Sequence, residues 1–133
     1  EKALSEHGLE LDQSLIKVGD FKQGGGYQRA CELLEMDDPP TAIFTANNAM
    51  TLGTLNAIHE KGLNIPRDVA IVGFDDMPWA PSLDPPLTTV AQPTYELGRK
   101  AADLVLKRIA DKDRETVKMT LEPILIIRES CGC

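Results

Sequence analysis

At 133 residues the chain is about one domain long, enough to bury a core, and its composition is ordinary, with 42% hydrophobic and 26% charged residues. A net charge of −7 argues against a surface that grips nucleic-acid phosphates, where affinity comes from clustered Lys and Arg. No run approaches the ~20 apolar residues of a membrane span, and three cysteines, unevenly placed, are too few for a disulfide framework, which favours a reducing cytosol.

In chain order, Glu1 to His7 reads as the end of a helix stopped by Gly8. Because the sequence opens inside a helix, the lack of a visible signal peptide carries no weight. Leu15 to Val18 reads as a short strand, with Gly19-Asp20-Phe21 as the loop after it. Gly24-Gly25-Gly26 either cradles a phosphate or is a flexible lead-in to the next helix; the spacing is not GxGxxG and no GK[ST] follows. That helix runs from Tyr27 to Met36, with Tyr27, Cys31 and Leu34 on one face and Ala30 and Leu33 beside it. Asp37-Asp38-Pro39-Pro40 ends it, and Thr41 to Ala46 forms the second strand. Asn47 stands at the carboxyl end of that strand and suits an N-cap. The helix from Asn48 to Lys61 stops at Gly62. Met50, Thr54, Ala57 and Ile58 face the sheet, while Leu52 and Leu55 point elsewhere, which is unusual for a solvated helix. His7 and His59 are solitary and read as surface residues, so no metal is expected.

Val69 to Gly73 is a continuous apolar run leading into Phe74-Asp75-Asp76. Such a run reads as a strand buried on both faces, the kind found in parallel sheets covered by helices. Ligands in α/β proteins sit at the carboxyl ends of these strands, so Asp75 is expected to touch whatever is bound. The loop from Met77 to Pro86 holds Trp79, Leu83 and four prolines and is apolar enough to be covered. Leu87 to Val90 is extended and leads to Gln92-Pro93. A long helix follows from Thr94 to Ala110, striped by Leu97, Ala101, Leu104, Val105 and Ile109. Two short strands, Val117 to Leu121 and Ile124 to Arg128, close the chain before a Cys131-Gly132-Cys133 tail, which reads as a frayed terminus more readily than as a metal or redox pair. The order predicts an α/β fold, a parallel sheet flanked by helices with right-handed crossovers.

Several segments carry a resemblance. Pro40 through Met50, Ile65 through Asp76, and Pro86 through Pro93 with Leu97-Gly98 resemble signature segments of the LacI/GalR family of bacterial transcription regulators. The closing Arg128-Glu129-Ser130, Gly19-Asp20-Phe21 and Gly26-Tyr27 fit as well. Family members carry a helix-turn-helix headpiece, a hinge helix and a two-subdomain effector-binding core. This chain resembles only the C-terminal part of that core, a periplasmic-binding-protein-like type I fold. The resemblance implies that residues 1–90 and 117–130 form the C-terminal subdomain. Residues 91–116, the crossover and long helix, would belong to the N-terminal one. With the headpiece absent, these residues alone are not expected to bind operator DNA.

The resemblance also places Phe21, Asn47, Asp75 and Gln92 around the ligand cleft. Their chemistry suits a sugar: a carboxylate accepts from two hydroxyls, a carboxamide donates and accepts, and an aromatic face packs on a sugar ring. A purine effector ranks second. Leu52, Leu55, Trp79 and Leu83 are expected in a homodimer interface. The expected whole is the effector-sensing and dimerisation core of a cytoplasmic regulator, usually a repressor, with no cofactor, no membrane partner and no enzymatic activity. Two alternatives stay open: a periplasmic sugar-binding protein of a transport system, and an enzyme using Asp75 and Asp76 with Mg²⁺, for which no nucleophile–base pair, P-loop or third acid is in place.

Overall fold

The structure, a computed structural model, describes residues 2–133. Helix α1 (Lys2–Glu6) is followed by a 3-10 turn (Gln13–Leu15), α2 (Gln23–Leu34), β1 (Ala42–Thr45) and α3 (Asn48–Glu60). Then come β2 (Ala70–Phe74), β3 (Thr88–Ala91), α4 (Thr94–Ala110) and β4 (Ile124–Ile126). The sheet has the order β1-β2-β3-β4. β1, β2 and β3 run parallel, with Thr45 opposite Gly73 and Gly73 opposite Thr89. β4 returns antiparallel to β3, Ile126 opposite Thr89. The expected α/β architecture is therefore present, with one antiparallel strand at its edge.

Strand period explains where the core sits. Along β1, Ile43 and Thr45 are buried while Ala42 and Phe44 face outward. Helix α3 packs on the buried side of β1 and β2, and α2 packs on α3. Leu33, Ile43, Ile58, Val69, Ile71, Ala80 and Leu87 form the core between them. β2 departs from the expectation of burial on both faces. Ile71 and Gly73 are buried, but Ala70, Val72 and Phe74 are only half-buried, because α2 and α3 cover just one side.

The glycine run is neither a phosphate cradle nor a flexible lead-in. It lies inside α2, whose first residue is Gln23 rather than Tyr27. A Cβ on Gly26 would stand 2.5 Å from the Cα of Met50, and one on Gly53 would stand 2.5 Å from the backbone nitrogen of Tyr27. The two helices thus meet backbone to backbone, which only residues without side chains permit.

Two expected strands are absent. Leu15 ends a 3-10 turn, and residues 16–18 belong to no strand; Val18 is 82% exposed. A strand exists only when a neighbour takes up its hydrogen bonds. Among the described residues β1 is the sheet edge nearest in sequence, and nothing pairs along its free side. Val117 to Leu121 also forms no strand, because β3 is paired with β4 over only Thr89 to Ala91. These residues run beside α4 instead, where Val117, Met119 and Leu121 share a groove with Leu97, Ala101 and Leu104. α4 itself buries no residue, and Val105 and Ile109 of its apolar stripe are 58% and 68% exposed. Helix α1 ends at Glu6, with Gly8 left-handed at φ +70° as a helix stop; Glu1 lies outside the described residues. Among the described residues no helix is long and apolar enough to cross a membrane.

Replacing Gly53 tests the helix contact. Alanine gains up to ~1 kcal/mol of helix propensity, but forcing a methyl against backbone costs ~1–3 kcal/mol. Gly53→Ala should therefore lower the melting temperature, whereas Gly24→Ala, where a Cβ meets nothing within 4 Å, should raise it or leave it unchanged.

Candidate functional site

The three parallel strands release the chain at one level. Asn47 follows β1, Asp75 follows β2 and Gln92 follows β3. Neighbouring strands lie ~4.8 Å apart, so these residues form a row about 10 Å long, the width of a small ring compound. Phe21 joins the row from the loop before α2, since its carbonyl accepts a hydrogen bond from Asn47 Nδ2 at 3.1 Å. All four expected residues are thus at the carboxyl end of the sheet, tied in two pairs.

Asn47 is fixed on every side. Its Oδ1 accepts from the Met50 amide at 2.7 Å, capping α3, and its backbone carbonyl accepts from Thr51 Oγ1 at 2.8 Å. The Thr51 hydroxyl also meets that of Thr45, 2.6 Å away and buried. Gly73 leaves room for this contact, for a Cβ there would press on Thr51 Oγ1 at 3.2 Å. Capping is therefore a role Asn47 demonstrably has, and one hydrogen of its Nδ2 remains after the bond to Phe21. The neighbouring Asn48 turns instead to the Met77 sulfur, its Nδ2 donating at 3.2 Å. Phe21 is 68% exposed with a left-handed φ of +62°.

Asp75 also has a left-handed backbone, φ +77°. Aspartate tolerates that region better than most residues. Its amide donates to the Val90 carbonyl at 2.9 Å, and its Oδ1 accepts from Gln92 Nε2 at 2.7 Å. The carboxylate is half-buried and Gln92 is exposed. The row is an open wall of polar groups with one aromatic ring, able to accept from hydroxyls and to stack on a ring.

Sequence reasoning missed what Asp76 does. Its carboxylate turns away from the row and takes a two-point grip from Arg128, Nη1 to Oδ1 at 2.7 Å and Nη2 to Oδ2 at 3.1 Å. Thr89 Oγ1 donates to the same Oδ1 at 2.7 Å, and Arg128 Nη1 also reaches the Leu87 carbonyl at 2.6 Å. The only sequence signal was the pair of adjacent acids together with an arginine in the closing segment, 52 positions apart. The buried Ser130 completes the attachment: its hydroxyl donates to the Ile71 carbonyl at 2.7 Å and accepts from the Thr88 amide at 2.8 Å. The Arg128 guanidinium holds the Asp76 carboxyl below the usual carboxylate range; partial burial opposes this and the Thr89 hydroxyl adds to it. Among the described residues no buried side-chain polar atom lacks a partner. No group of three His, Cys, Asp or Glu is placed to hold a metal ion among them.

Of the four residues expected at a subunit interface, Leu55, Trp79 and Leu83 are half-buried against this chain's own core. Leu55 therefore does not point away from the core as its helix position suggested. Leu52 is half-buried as well.

Residues 1–131 match the family described as periplasmic binding protein-like domain. The chain is 38% identical over 129 residues to the HTH-type transcriptional repressor PurR of Pasteurella multocida, covering 97% of this chain and 39% of that protein. It spans about two fifths of the length of the curated relatives it matches. A solved complex of the transcriptional regulator CelR with cellobiose superposes with a TM-score of 0.89 at 39% identity, covering 97% of this chain and 39% of that one. A LacI family transcriptional regulator from Enterococcus faecium with bound ribose gives 0.84 at 33% identity, covering 97% and 48%. The resemblance first carried by the sequence motifs thus extends to whole-chain likeness.

The Asp76 geometry fixes a pH dependence. Folding lowers this carboxyl's pKa, so the stability it contributes is full above the unfolded value of ~3.9 and disappears as pH falls through the lower folded value. Asp76→Asn should be less stable than the parent at neutral pH, by ~1–3 kcal/mol for a lost charge-assisted partner, and the gap should narrow below about pH 4. Urea titrations at neutral and acid pH measure it; a gap that widens in acid would contradict the assignment.

Proposed function

The chain belongs to the periplasmic binding protein-like domain family, and from that premise we propose that it is the C-terminal part of the effector-sensing core of a bacterial DNA-binding transcription regulator, a repressor of LacI type. The observation that carries the reading is the row of Asn47, Asp75 and Gln92 at three adjacent carboxyl ends, with Phe21 bonded to it. Relatives of the same fold that have been solved with sugars are regulators, one holding cellobiose and one holding ribose. The effector is a sugar, and Asp75 accepts from its hydroxyls while the Phe21 ring packs on its apolar face. The protein works in the cytoplasm, and operator DNA is bound through a headpiece outside these residues. The relatives reported above are regulators, which counts against the transport reading.

The row needs an opposing wall, and the proposed source is a second subdomain to which residues 91–116 belong. In support, α4 buries no residue against the sheet and presents an exposed apolar stripe. A side chain such as Val or Leu left in water forgoes ~1.5–3 kcal/mol of burial. A ligand held by both walls binds the closed form better than the open one, and so shifts a two-state equilibrium that the DNA-binding part reads.

Calorimetry on the intact protein tests the site with ribose, cellobiose and a purine base as titrants. Asp75→Ala should weaken sugar binding by about tenfold to a hundredfold, the loss of one charge-assisted hydrogen bond at ~1.5–3 kcal/mol. Unchanged affinity in that variant would remove Asp75 from the site, and binding of the purine base alone would replace the sugar reading.

The same core also forms a homodimer through the surface carrying Leu52, Leu55, Trp79 and Leu83. A two-fold contact suits a palindromic operator. Leu52, half-buried in one chain, is the probe. Leu52→Lys would bury an unpaired charge, so sedimentation should show monomers where the parent is dimeric. An unaltered dimer dissociation constant would exclude this surface.

A further inference from the structure

We propose that Asp76, Arg128 and Thr89 form a clamp that positions Asp75, so that of two adjacent carboxylates one is presented to the effector and the other is withdrawn to hold it there. The inference rests on the reading of Asp75 as an effector contact and deepens it.

Asp75 is a non-glycine residue in the left-handed region, a conformation that persists only where its surroundings impose it. On its amino side the β2 ladder and the bond from its own amide to Val90 fix the chain. On its carboxyl side the next residue is Asp76, whose two oxygens are taken by the Arg128 guanidinium and the Thr89 hydroxyl. Thr89 lies on β3 opposite Gly73 of β2 and Ile126 of β4, and Arg128 comes two positions after the end of β4. The clamp therefore fastens residue 76 to two other strands at once, just below the point where residue 75 leaves the sheet.

The chemistry of the row follows. Two free carboxylates side by side would draw a cation or repel each other. With Asp76 neutralised by a two-point guanidinium contact, one carboxylate faces the row, its Oδ1 oriented by Gln92. A single oriented acceptor suits a hydroxyl group of a sugar. Thr89 is fully buried and Arg128 and Asp76 are mostly so, with side chains 17% and 23% exposed, so none of the three is placed to meet a ligand itself.

A matched pair at Thr89 gives the test. Thr89→Val keeps the shape and loses the hydroxyl, while Thr89→Ser keeps the hydroxyl. Both are made in the intact protein, with Asp76→Asn as a second break in the clamp and Asp75→Ala as reference. Melting curves establish that each variant is folded. Affinity for ribose and cellobiose is then measured by calorimetry, and exchange of the Asp75 amide proton by NMR. Thr89→Val and Asp76→Asn should weaken sugar binding by about tenfold, the scale of one misplaced charge-assisted hydrogen bond. Thr89→Ser should restore it, and Thr89→Val combined with Asp75→Ala should bind no more weakly than Asp75→Ala alone. Full affinity in folded Thr89→Val and Asp76→Asn, or a loss that adds to that of Asp75→Ala, would overturn the proposal. Should Asp75→Ala itself leave binding unchanged, the effector reading fails and the amide proton still decides the clamp. Faster exchange at Asp75 in Thr89→Val than in Thr89→Ser supports it, and equal exchange in the two overturns it.

Discussion

Backbone pairing between β2 and its two parallel neighbours sets the level at which three chain segments leave the sheet. Thr45, Gly73 and Thr89 lie in one line across the strands. The residues that follow each strand by one or two positions are therefore neighbours in space, whatever their distance in sequence. Everything that shapes the candidate site starts from this line. The Thr45–Thr51 hydroxyl contact seats α3 against the end of β1, Gly73 makes room for it, and Asn47 caps the helix that results. A slip of any one strand by one residue would turn its side chains to the other face of the sheet and carry its exit off this line.

The closing segment serves the same line from the other side. Ser130 bonds to the carbonyl of Ile71 and to the amide of Thr88, and Thr88 in turn exchanges hydrogen bonds with the Arg128 backbone. These are neutral hydrogen bonds, each contributing ~0.5–1.5 kcal/mol net. The Arg128–Asp76 pair is different. It is mostly out of water, where desolvation offsets much of the Coulomb gain. Its net worth to stability is small beside the apolar core. What it supplies is geometry: a planar fork accepts a carboxylate in one orientation, which a hydrophobic contact at the same place would leave free.

The parts of this fold legible in sequence are those decided locally. β1 and β2 are largely apolar runs followed by polar residues, α3 has Asn47 at its start and Gly62 just after it, and the span of α4 matches its stripe of apolar residues. The parts that were not legible depend on distant partners. Residues 15–18 and 117–121 have strand composition, yet no neighbour offers them a ladder. The glycines of α2 look like a loop until Met50 is found against Gly26. The site divides in the same way. Asn47, Asp75 and Gln92 each follow a strand that is legible in the sequence, whereas Phe21 follows none and was placed by the family resemblance alone. Asp76 received no role outside the Mg²⁺ alternative, because its partner, Arg128, is brought near by the return of β4. Charge alone does not say which of two adjacent carboxylates is withdrawn; the Arg128 contact to Asp76 does.

The path of the chain also bears on how such a site would signal. β3 runs from the core through Gln92 into α4, and the chain comes back past residues 117–121 into β4. On the proposed subdomain assignment these two passages are hinges, and the first carries a member of the site, Gln92 beyond β3. A rigid rotation of the α4 body bends both passages together, because Ala91 and Ile124 are paired where the chain leaves β3 and enters β4. Gln92 moves with the outer part of the hinge, while Asp75 stays with the sheet, fastened through Asp76. The Gln92–Asp75 hydrogen bond thus spans the moving boundary, and a ligand that replaces or reinforces it interacts differently with open and closed forms. Differential interaction of this kind is the whole requirement for an effector to shift a two-state equilibrium. By linkage, DNA bound to one of those states must alter effector affinity by the same factor that the effector alters DNA affinity.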